Sequence, residues 1–194
     1  PNLILNKIVR LARLDTTVFD DVRDDVNELI PAMIVAAVSS LLAGLGATLF
    51  WEFNFDFSPD KVWLNTFILG GVFMAALYLV WVLIAYVIIV QVYRASADLK
   101  SLLRTMGYAA APLALCLFMF IPGLYALLTI VPWAPILLLF TPPVPALTHA
   151  YPPQVVVVNT AGFSVMVLVL SIVAFSSDRT VMGAGLFSIL WEIP

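Results

Sequence analysis

Six of the twelve carboxylates in this 194-residue chain fall between Asp15 and Glu28, while the single histidine, His149, and the single cysteine, Cys116, stand apart from them. Clustered carboxylates bind a calcium-like cation when they alternate around a glycine turn. Here Val18, Val22, Val26 and Leu29 recur at helical spacing, with Asp21, Asp24, Asp25 and Glu28 off that stripe. The pattern predicts a continuous juxtamembrane helix with a solvated acidic face, or a contact face for a partner, rather than a cation loop. Thr16 or Thr17 is placed to cap its start, and Pro31 marks where it meets the first apolar run.

His149 lies in the proline-rich stretch 142–154, near Tyr151. It reads as a loop histidine without function, and it is the one candidate cofactor-binding residue if a metal or a porphyrin-type pigment is ligated. Cys116 sits inside an apolar run, where a thiol behaves as a small hydrophobe, and it has no second cysteine to pair with. The chain has no HExxH, no GxSxG, no P-loop, and no Ser-Lys or paired-Asp arrangement. No enzyme activity, resident metal or cofactor is therefore expected, while a bound lipid, quinone or pigment stays open.

The elements that hold these residues follow from composition. Hydrophobic residues make up 63% of the chain and charged residues 11%. Soluble domains carry about 25% charged residues, so this is the composition of an integral membrane protein. The runs 29–51, 62–93 and 155–176 are each long enough for one span. Run 107–140 is broken by Pro112, Pro122, Pro132 and Pro135, and reads as a helical hairpin, 107–121 and 123–141. The expected fold is an all-α polytopic membrane protein of five transmembrane or re-entrant helical segments. Residues 1–28 form N-terminal amphipathic and acidic cytoplasmic helices, 29–176 the membrane domain, and 177–194 a C-terminal tail.

Lys7, Arg10, Arg13 and Arg23 precede the first span, Lys61 follows it, and Arg94, Lys100 and Arg104 precede the third. The positive-inside rule then places the N-terminus in the cytoplasm and the chain in the cell membrane. The side of the C-terminus depends on how far the hairpin crosses. Leu3, Ile4, Ile8, Leu11 and Leu14 alternate with Lys7, Arg10 and Arg13, which predicts an interfacial helix on an anionic leaflet rather than a signal peptide, with Pro1 as a mature end.

Ala36, Ser40, Gly44 and Thr48 recur every four residues, and Gly71 with Ala75 offers a second small patch. Such stripes let helices approach closely, either within the chain or against a partner. Trp51 and Trp63 bracket the first loop as interface anchors. Arg104 is expected at headgroup level, because the bilayer centre would cost about 2.5–3.5 kcal/mol. Tyr108 is expected one turn deeper with its hydroxyl wet, and Pro112 in the first turn of the third span.

Two stretches resemble a known family. "VFDDVRDDVNELIPAMIVAAVSSLLAGLGA" is similar to the opening of bacterial Yip-domain proteins, relatives of the Ypt/Rab-interacting proteins: an aromatic, an acidic helix, then an Ala-rich span ending in Gly-x-Gly. Arg104, Gly107–Tyr108 and Ala111–Pro112 resemble the start of that family's third span, and "FIPGLYALLTIVPW" its fourth. The resemblance covers residues 15–140; beyond it, "TPPVPALTHAYPPQ" stands where the family carries basic residues. It implies partner binding and membrane organisation without catalysis, and no Rab partnership is carried over. The expected function is a non-enzymatic membrane scaffold or accessory subunit within a larger, respiratory or photosynthetic, complex. Its partners would be other integral membrane proteins and lipids, not nucleic acid. The alternative is a small-solute channel or transporter.

Overall fold

The computed structural model describes residues 2–13, 15–54, 63–124, 127–128, 131–139 and 152–176, and every regular element among them is helical. The tail 177–194 and the loop bearing His149 lie outside the described residues. Helix α1 (Asn2–Ala12) packs Ile4, Ile8 and Leu11 inward, and α2 (Val18–Arg23) buries Val18, Phe19 and Val22. The acidic helix is not continuous. Asp25 adopts an extended conformation and its side chain accepts from the Asn27 amide, starting a short 3₁₀ turn (Val26–Glu28) in a new direction. Val26, expected on the buried stripe, therefore stands 75% exposed. Thr17 occupies the N-cap position of α2 without capping it: its hydroxyl donates to Asp15 and its oxygen accepts from Arg10 rather than from a helix amide.

Three helices are long and apolar enough to cross a membrane: Val26–Asn54, Trp63–Val92 and Leu99–Phe120. The first contains α3 (Leu29–Asn54), whose Pro31 falls in the opening turn, where a missing amide donor costs nothing. The second, α4, is α-helical over Gly71–Val87 and widens to π-helix at both ends, Trp63–Gly70 and Ile88–Val92. It stops at Val92, just before Arg94 takes a left-handed φ of 51°.

The third, α5 (Leu99–Phe120), begins upstream of the expected start at Gly107. The reason is a cap: the Asp98 carboxylate accepts from the amides of Lys100 (3.3 Å) and Ser101 (2.9 Å). Regular α-winding ends at Ala109, and Ala111–Phe120 is a 3₁₀ helix with Pro112 in its opening turn. With three residues per turn, positions three apart eclipse one another, and Leu113, Cys116 and Met119 form one fully buried column. The winding also lengthens the segment. Gly107 backs onto Ala32, and Cys116 onto Gly46, so α3 and α5 run parallel. Ala32–Gly46 climbs about 21 Å as α-helix; Gly107–Cys116 reaches about 17 Å with its 3₁₀ portion, against about 14 Å without it.

Helix α3 is the hub, with α4 on one face and α5 on another. Two further helices are described, α6 (Trp133–Leu139) and α7 (Pro152–Ser176). Gly162 of α7 lies directly under the Trp81 ring of α4, where no Cβ would fit. Asn159 of α7 donates to the Leu137 carbonyl of α6 at 2.9 Å.

Candidate functional site

Most charged side chains among the described residues lie on α1, α2, the turn before α3 and the start of α5. The Tyr108 hydroxyl donates to Glu28 at 2.5 Å, and Lys7 reaches the other carboxylate oxygen at 2.5 Å. The Lys7 ammonium also lies 5.6 Å from the centre of the Tyr108 ring. Lys7 and Glu28 are only 12% and 14% exposed, so the bridge is largely screened from solvent. Three elements are fastened by it: α1, the turn before α3, and α5. The expectation of a wet Tyr108 hydroxyl is corrected, because the α1 cation and the Glu28 carboxylate close over it.

The Arg104 side chain is likewise covered by protein. It is 7% exposed; Nη2 donates to the Ser101 hydroxyl at 2.7 Å and lies 3.7 Å from Asp98. Its Nε has no hydrogen-bond partner among the described residues. The Asp98 cap that starts α5 early also supplies the polar wall against which Arg104 folds, and Ser101 lies within 3.2 Å of the Arg23 carbonyl of α2.

A second network ties α1 to α2. Arg10 bridges Asp15 (2.8 Å) and Asp21 (2.7 Å) and donates to the Thr17 hydroxyl (2.8 Å). The Thr17 hydroxyl, then Arg10, hold the Asp15 carboxyl down at about 2, and these carboxylates in turn raise the Arg10 guanidinium. Arg23 pairs with Asp20 and Asp24. Much of the acidic cluster is thus matched to basic side chains, a pairing between elements that helical periodicity does not reveal. No group of three or more His, Cys, Asp or Glu that could hold a metal occurs among the described residues.

The small-residue stripe is internal. Ala36, Ser40, Gly44 and Thr48 are all buried, and a Cβ on Gly44 would meet the Phe67 carbonyl at 2.8 Å. One on Gly71 would meet Leu41 at 2.9 Å, so the two expected patches face each other across α3 and α4, with Ala75 half-buried beyond. The Ser40 and Thr48 hydroxyls donate to the carbonyls four residues back, at 2.9 and 3.0 Å, so their protons are used within the helix. Trp51 is half-buried beside Phe50, Trp63 is 49% exposed against Phe67, and Cys116 is fully buried. Sequence reasoning missed Lys7 and Glu28 as partners of Tyr108; Glu28 and Tyr108 are 80 positions apart, and no local pattern links them.

The chain matches no protein-family model, no characterised protein and no solved structure.

Proposed function

We propose that this protein is a non-enzymatic integral membrane scaffold or accessory subunit that packs laterally within a larger membrane complex of the respiratory or photosynthetic kind. One observation carries the reading: every long helix leaves large apolar side chains uncovered. Ile30 and Ile34 on α3, Val72 and Leu83 on α4, Leu115 on α5 and Leu168 on α7 are 44–71% exposed. Water would penalise such a surface, whereas lipid tails and apolar helices of other subunits accept it. Ionisable side chains inside spans usually mark ion or proton paths, and Trp63–Val92 contains none.

In this reading the chain is multi-pass in the cell membrane with a cytoplasmic N-terminus. It has five segments, α6 and α7 completing α3, α4 and α5, and α1 lies as an amphipathic helix in the interface. The fold is that of the Yip-domain proteins it resembles. The test is co-purification of the tagged chain in mild detergent, followed by native mass spectrometry. The expected result is a stoichiometric assembly with other integral membrane proteins. A chain recovered alone from gently solubilised native membranes would overturn the reading.

A further inference from the structure

A groove of about 330 Å³ separates α1 from the 3₁₀ half of α5, lined by Ile8, Leu11 and Ala12 on one side and by Pro112, Leu115 and neighbouring alanines on the other, with Pro135 of α6 completing it. Not one of these side chains is polar, and the two prolines bring no amide donor. The volume is roughly that of ten water molecules, room for a stretch of hydrocarbon but without partners to order water. The groove lies one turn beyond the Tyr108–Glu28–Lys7 cluster, at the start of the apolar part of α5. Helix α1 also carries exposed Leu5 and Val9.

The charges of α1 are not equivalent. Lys7 is taken by Glu28, and Arg10 by Asp15 and Asp21. Arg13, next to the groove wall at Ala12, is exposed and has no ion pair among the described residues. A dry hydrocarbon slot beside one uncommitted guanidinium matches a molecule with an apolar tail and an anionic head. We propose that the groove between α1 and α5 binds one acyl chain of an anionic phospholipid, with Arg13 on its phosphate. The inference rests on the membrane reading above and adds a ligand to it.

The test uses the full chain in mild detergent, titrated by native mass spectrometry with dioleoyl-phosphatidylglycerol or with dioleoyl-phosphatidylcholine. One phosphatidylglycerol should be retained, about fivefold more tightly than phosphatidylcholine, the worth of one basic residue at a membrane surface. Arg13→Gln should abolish that preference and leave phosphatidylcholine binding unchanged. Ala12→Phe, at an exposed position, should fill the slot and weaken both lipids, with an unchanged circular-dichroism spectrum showing that the bundle is intact. Equal binding of the two lipids, a preference that survives Arg13→Gln, or a second copy of the chain in place of lipid would each overturn the proposal. Loss of the phosphatidylglycerol preference in Arg13→Gln with partners still co-purifying separates this site from the complex reading.

Discussion

Tyr108 ties α5 to both the turn before α3 and, through Glu28, the Lys7 of α1, so the loss of one oxygen there should be felt throughout the polar end of the bundle. A hydrogen bond to a charged partner contributes about 1.5–3 kcal/mol, and Tyr108→Phe should lower stability by that order while leaving Glu28 paired with Lys7. Thermal unfolding in detergent would read it; a midpoint equal to that of the parent would remove the cluster's structural role. Asp15 makes a different prediction. Its folded pKa lies below the ordinary 3.8, at about 2, so its contribution is present above about pH 4 and is lost as the pH falls through about 2. Thr17→Val removes the larger cause of that depression and should move the Asp15 titration upward, as followed by carboxyl-carbon NMR. Sequence marked Tyr108 and Arg104 as special without revealing what covers them. Residue type suggests an anchor, whereas burial depends on what distant chain segments lay over it.

The apolar runs of α3 and α4 were legible from composition alone, since lipid-length stretches without charge admit few readings. The start of α5 was not. A capping aspartate at position 98 outweighed the polarity of Lys100 and Arg104, and the acidic stretch broke at Asp25 for the same kind of local reason. The 3₁₀ half of α5 left no mark in the hydrophobic pattern, because every residue from Ala111 to Phe120 is apolar. Small residues on α3 were found, and only the structure supplied their partner. Gly44→Leu should therefore lower the protein's own thermal-aggregation midpoint, an overpacking cost of about 1–3 kcal/mol, while leaving co-purifying subunits attached to the folded fraction. Release of partners from an equally stable chain would relocate the stripe to an external face.

At the scale of the molecule, α3 and α5 run parallel and α4, which joins them in the chain, packs on the other face of α3, as expected if successive helices cross in alternate directions. A cysteine placed at Thr17 should then be sheltered from an impermeant maleimide added outside cells, and one at Glu52, exposed at the far end of α3, should react. Equal labelling would overturn the orientation. The clasp of Lys7, Glu28 and Tyr108 adds a consequence in time. Glu28 leaves the ribosome 80 residues ahead of its hydroxyl partner, a wait of about 4–16 s at roughly 5–20 residues per second. Throughout that interval the tyrosine that closes over the lysine–carboxylate pair has yet to be made. Nascent chains arrested short of Tyr108 should leave α1 open to protease, and chains arrested well past it should shield α1, so that the N-terminus, first to be made, is among the last parts to settle.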